Sequence, residues 1–228
     1  MVNYFIFAVL CFLISCGQSD LEKGAVSLSI GDYERAIAFY DQELNKRPSN
    51  AIAHLGLGKS LYQKAMAQKN DTVSLAQAII HIEAARTLGL TGEVNGLLSS
   101  VLTGDARMKL NTGDTIGALE ILTRAIEYDR SSSVPLNLTG IIYFRTGRTE
   151  KASVLFDYAI KTDTSDVSPL FNRGMVAWQQ NQFETAHVYW LKALRKSPDD
   201  EEILYWFARA EKLLRNEEQG TLVDGGSK

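Results

Sequence analysis

The chain has 228 residues, 45% of them hydrophobic and 22% charged, with a formal net charge of −3. This is the composition of an ordinary globular protein, long enough for one domain or two. It excludes the basic footprint of a nucleic-acid binder, and four prolines among many Ala and Leu suit helices.

At the N-terminus, Tyr4 to Ile14 is an unbroken apolar run. It is shorter than the roughly 20 residues that a membrane-crossing helix needs and has the length of a signal-peptide core. It leads into Leu13-Ile14-Ser15-Cys16-Gly17. These residues resemble the lipobox of bacterial lipoproteins, with Leu three positions before the Cys and a small residue just before it. The resemblance implies that residues 1–15 are a lipoprotein signal peptide and that Cys16 becomes the lipidated N-terminus. The alternative is an uncleaved or buried N-terminal helix. The chain has two cysteines, Cys11 and Cys16. If Cys11 is discarded and Cys16 acylated, no disulfide is possible in the mature chain. Each buried CH₂ of an acyl chain contributes about 0.8 kcal/mol, so two or three chains anchor stably. Residues 16–20 would then be the lipidated Cys and a short tether. Gly17, where an Asp would retain such a protein in the inner membrane, points to the periplasmic face of the outer membrane.

The rest of the chain repeats itself. Thr112–Asp129 is echoed thirty-four residues later by Thr146–Asp163, and a further thirty-four residues on by a stretch opening at Gln180. Aligned on one small residue, the copies share Ala36, Ala78, Ala118, Ala152 and Ala186. Four residues on stand the bulky Tyr40, Ile82, Leu122, Phe156 and Trp190, and three beyond those come Glu43, Ala85, Ala125, Ala159 and Ala193. That spacing puts them on one helix face. On the preceding helix the small positions are Gly24, Gly58, Ala106, Gly140 and Gly174. A fixed period of this kind marks a repeat array.

The register resembles the tetratricopeptide repeat (TPR), a 34-residue helix–turn–helix unit. The turns read Gly31-Asp32-Tyr33, Gly113-Asp114-Thr115, Gly147-Arg148-Thr149 and Asn181-Gln182-Phe183, and Pro48 and Pro198 close the first and last copies. A Gly after the first helix takes the left-handed C-cap, and the Asp that follows caps the next helix. The resemblance implies an all-α fold, a right-handed TPR solenoid of about five helix–turn–helix repeats plus a C-terminal capping helix, over residues 21–216. Helix pairs are predicted at 20–30 and 33–46, 50–68 and 73–88, 93–111 and 114–128, 133–146 and 149–161, and 167–180 and 183–196. The capping helix is predicted at 199–216, with a disordered tail over 217–228. Repeat two carries extra residues around Lys64–Ser74, which either lengthen its first helix or form a loop. A second extension lies at Leu88–Asn95. Each is a tolerated surface insertion or a contact element.

No residues with catalytic spacing stand out. Gly58-Lys59-Ser60 lies inside a predicted helix and lacks the earlier glycine and strand of a phosphate loop. There is no Gly-x-Ser-x-Gly elbow. His54, His81 and His187 fall in different repeats without metal-ligand spacing. The reading is therefore of no catalytic residue, no metal site and no cofactor. The resemblance implies instead a groove lined by first-helix residues. On this register Tyr62, Arg107, Leu110, Ile141, Phe144, Met175 and Trp178 line a partner-binding groove, or pack between helices as core. Aromatics, Met and Arg are enriched where binding energy concentrates. The expectation is a lipid-anchored scaffold in the bacterial cell envelope. It would hold other envelope proteins in its groove and the membrane through Cys16, in pilus, secretion or outer-membrane assembly. The alternative is an adaptor or regulatory subunit of a cell-wall or proteolytic enzyme.

Overall fold

The structure, a computed structural model, describes residues 19–68 and 71–224, with side chains as far as Asn216. Cys11, Cys16 and the apolar N-terminal run lie outside the described residues. Those residues form helices and no strand: α1 (Asp20–Ser29), α2 (Tyr33–Lys46), α3 (Ala51–Ala67), α4 (Thr72–Thr87), α5 (Gly92–Asn111), α6 (Thr115–Tyr128), α7 (Ser133–Arg145), α8 (Thr149–Thr162), α9 (Ser168–Gln179), α10 (Phe183–Leu194) and α11 (Glu201–Asp224). Among them no helix is long and apolar enough to cross a membrane. The helices form two compact units that divide between Gly113 and Asp114. The first holds α1–α5 and the second α6–α11, so the third expected helix pair is shared between them. In each unit consecutive helices pack together, and first helices also touch across a repeat, α1 with α3 and α7 with α9.

The turns follow the predicted chemistry. Gly31, Gly89, Gly113 and Gly147 have φ of 79°, 105°, 85° and 75°, and Asn181 takes the same left-handed region at 57°. After α1, the Gly31 N–H donates to the Leu28 carbonyl and the Asp32 N–H to that of Ser27, the double bond of a Schellman end. Asp32, Asp71 and Asp114 then cap α2, α4 and α6 by accepting from the backbone N–H of Arg35, Ser74 and Gly117. Arg148 and Gln182 hold the corresponding places before α8 and α10 without a side-chain cap.

Packing between paired helices rests on glycine against a large side chain. A Cβ on Gly24 would lie 2.9 Å from the Tyr40 ring, one on Gly140 2.6 Å from Phe156, and one on Gly174 2.4 Å from the Trp190 indole. Gly58 would meet Ile82 at 2.4 Å. The rings sit where the glycine side chain is missing, and the helices close onto each other. The Ala positions of the second helices, from Ala36 to Ala193, are all fully buried. Glu43 occupies that position in the first copy and is also buried. Its carboxylate accepts from Asn50 Nδ2 at 2.7 Å and pairs with Arg47 at 3.2 Å. Asn50 serves twice, because its Oδ1 also accepts from the Ile52 and Ala53 N–H groups at the start of α3.

The extra residues of repeat two lengthen helices. α3 has 17 residues, α4 16 and α5 20, against 12 to 14 for α6 to α10. α5 packs on α4 and buries Val94, Leu98, Val101 and Leu102. The last helix runs beyond the predicted 199–216, since α11 reaches Asp224, well into the expected tail. Asp200 caps its start by accepting from the Glu202 and Ile203 N–H groups. Ile203 and Ala210 are buried in a cluster with Trp190, and Trp206 and Phe207 pack beside them.

Two substitutions separate close packing from helix propensity. Gly174→Ala forces its methyl into the Trp190 indole, a clash costing typically 1–3 kcal/mol against a propensity gain of about 1 kcal/mol. Gly104→Ala meets only Met66 and Tyr62 at 3.7 Å. In urea unfolding followed by tryptophan fluorescence, Gly174→Ala should lower the midpoint and Gly104→Ala should hold or raise it. The reverse order would remove the ring-on-glycine account. Asn50→Ala, which loses a cap and a buried carboxylate partner together, should cost about 1–3 kcal/mol in the same assay. A change below a few tenths would show that Glu43 finds another donor.

Candidate functional site

In the first unit the first helices present a cleft. Leu28 from α1, Tyr33 from α2, Lys59, Tyr62 and Gln63 from α3 and Leu97 from α5 line about 250 Å³. Tyr62 forms one wall and packs on α5, its ring 3.7 Å from where a Cβ on Gly104 would stand. Burial raises the Tyr62 phenol above its ordinary pKa, and the nearby Arg107 guanidinium pulls the other way. The phenol therefore stays protonated at neutral pH and is available as a donor. Lys59 is paired with Glu93, whose carboxyl is lowered by that contact. Glu93 is largely exposed, so the pair is weak and can open to an anionic partner. Lys64 stands 3.8 Å from Glu34. The cleft thus combines apolar walls, a phenol and exchangeable ion pairs.

Of the predicted groove residues, Tyr62, Arg107 and Leu110 belong to this unit. Tyr62 lines the cleft, Arg107 is exposed on α5, and Leu110 is half-buried near the end of that helix. Tyr33, Gln63 and Leu97 were not legible as lining residues. Leu97 enters because α5 begins early to cover the lengthened pair, and no repeat position marks it.

In the second unit the predicted residues are half-buried and mostly turned into packing. Ile141 and Phe144 pack against Ala152, Phe156 and Val176. Met175 and Trp178 pack against the cluster around Trp190. The Trp178 ring lies 4.9 Å from Phe183, 5.8 Å from Trp190 and 5.5 Å from Trp206 of the capping helix. The Arg209 guanidinium sits 5.5 Å over both Trp178 and Trp206. Polar links join successive repeats here. Asp157 accepts from the Tyr189 hydroxyl at 3.0 Å and from Arg173 Nε at 3.3 Å, and Asn172 Nδ2 donates to Asn137 Oδ1 at 2.9 Å. Burial, and after it the hydrogen bond to Asp157, raises the Tyr189 phenol above its ordinary pKa.

One contact was invisible in the linear spacing. His54 of α3 and His81 of α4 meet with their Nδ1 atoms 3.0 Å apart, and His54 Nε2 stands 2.9 Å from the Pro48 carbonyl. The eight residues inserted between Gly58 and Ala78 separate the two histidines in sequence, and only the paired helices bring them together. The third, His187, stacks on Phe207 at 4.4 Å. Among the described residues no group of three or more His, Cys, Asp or Glu could hold a metal ion.

A tetratricopeptide repeat family model matches residues 21–87, the first two repeats. No curated protein matches the sequence. Among solved structures, the fold is similar to Pseudomonas aeruginosa pilF, with 15% identity over 91% of each chain and a TM-score of 0.57. It is similar to YrrB, a TPR protein with an unusual peptide-binding site, with 22% identity over 82% of this chain and 89% of that one and a TM-score of 0.55. The first TPR of Spaghetti (RPAP3), solved with the HSP90 peptide SRMEEVD, covers 53% of this chain and 95% of its own, with 18% identity and a TM-score of 0.50. Residues 21–87 thus match the tetratricopeptide repeat, and the helix pairs of the described residues share the fold of these solved structures.

Proposed function

We propose that the protein is a lipid-anchored scaffold of the bacterial cell envelope that holds an extended or helical segment of another envelope protein. The observation that carries the binding reading is the cleft of Leu28, Tyr33, Lys59, Tyr62, Gln63 and Leu97. It offers apolar walls for a side chain, and its half-buried phenol and loosely paired Lys59 suit the polar groups of a peptide. YrrB, with its peptide-binding site, and the Spaghetti domain, with its bound peptide, share the fold and support a peptide as partner class. The anchor rests on the sequence Leu13-Ile14-Ser15-Cys16. Pilus, secretion or outer-membrane assembly is the setting such a tethered adaptor suits.

Two measurements test the two halves of this reading separately. Affinity capture from detergent-solubilised envelopes should recover a stoichiometric partner, and Tyr62→Ala should weaken its binding about tenfold, the equivalent of 1.4 kcal/mol. Tyr62 is preferred to Phe144 or Trp178, since truncating those would open packed clusters. Capture unchanged by Tyr62→Ala and Leu28→Ala would exclude the cleft. Labelled fatty acid should incorporate at Cys16 and be lost in Cys16→Ser, which should leave the membrane fraction. An unlabelled wild type would remove the anchor whatever the capture shows.

A further inference from the structure

The His54–His81 contact lies outside the cleft and plays no part in the repeat packing shared by the other copies. Its geometry is specific. The Pro48 carbonyl can only accept, so His54 Nε2 carries a proton and, in the neutral ring, its Nδ1 offers a lone pair. This is the arrangement by which a protein fixes the tautomer of a metal-binding imidazole, the far nitrogen being tied to a backbone carbonyl. His81 Nδ1 approaches that lone pair at 3.0 Å. The ring centroids are 5.2 Å apart with planes inclined by 29°. With so short a nitrogen separation, the rings meet edge to edge and hold a single proton between them.

We propose that His54 and His81 form a binding site for one divalent transition ion, Cu²⁺ or Ni²⁺, held between α3 and α4 through the two Nδ1 atoms. Imidazole nitrogen suits Cu²⁺ and Ni²⁺, whose tetragonal geometry accepts two such ligands and leaves the other positions to water. Capture requires the His81 ring to turn about its broad terminal torsion, while the Pro48 bond keeps His54 in place. The proton between the rings leaves Nδ1 of His81 and one is taken up at its Nε2, so no net proton is released. Water completes the coordination, since both histidines are only half-buried and no third protein ligand joins them among the described residues. Asp41 on α2 adds negative charge on the His81 side. Cu²⁺ binds more tightly than Ni²⁺ by the general order of divalent ions.

Calorimetric titration of the full chain with Cu²⁺ and with Ni²⁺ should show one ion per chain held by the two histidines, more tightly for Cu²⁺. His54→Gln and His81→Gln should each weaken it at least tenfold, and His187→Gln should leave it unchanged. The cysteines are common to all these chains and cancel in the comparison. Circular dichroism melts check that each variant folds. Electron paramagnetic resonance of the wild-type Cu²⁺ complex provides a readout without any substitution, and it should show two coordinated imidazole nitrogens. Absence of binding, binding indifferent to His54 and His81, or a Cu²⁺ spectrum with fewer than two imidazole nitrogens would overturn the proposal, the pair then holding only its proton.

Discussion

Four helix pairs in this protein depend on a large side chain entering the space a glycine leaves. Tyr40 fills it at Gly24, Phe156 at Gly140 and Trp190 at Gly174, at distances where a Cβ would collide with the ring. Close packing at the density of protein interiors makes such contacts intolerant of one added carbon. The glycine has a cost, because it weakens the helix that carries it by up to about 1 kcal/mol. Repeating the exchange in several copies is worthwhile only because burying an aromatic ring returns more. The buried alanines of the second helices extend the same logic to the neighbouring helix. With both faces of each pair fixed in this way, the orientation of the first helices is set, and so is the set of side chains they leave open.

The second repeat shows what happens when the exchange is kept and the length changes. Gly58 still receives a bulky partner, Ile82, although eight more residues separate them than in the other copies. The inserted chain is absorbed as extra turns of α3 and α4, and α5 lengthens to cover them. Two features of chemical interest arise there. Leu97 is brought to the edge of the Tyr62 cleft, and His54 is brought against His81.

The capping helix acts in the second unit. An array that stopped at α10 would leave Trp190 and its neighbours uncovered, and a terminal helix with one apolar face removes that exposure. α11 does so with Ile203, Trp206, Phe207 and Ala210. Trp206 and Arg209 then engage Trp178 from the other side. Cation–ring contacts of this kind contribute about 0.5–1 kcal/mol at exposed sites. Met175 and Trp178 are therefore part of the closure of the domain, and the apolar character of that end serves stability before it serves recognition.

The helix pairs, their turns and their small-to-large register were all legible in the residues, because each is fixed by local rules. Glycine takes positive φ after a helix, Asp caps the next one, and residues four and seven apart share a face. The same rules put Tyr62 among the groove-facing positions of the first helices. They could not tell an open position from a covered one at Trp178, since that depends on where α11 lies. They could not show that the insertion becomes helix, that α11 continues to Asp224, or that the chain divides at Gly113. Nor could they bring His54 to His81, because periodicity describes one helix at a time. A contact between two helices depends on their relative rotation and axial offset, and only the packed side chains set those.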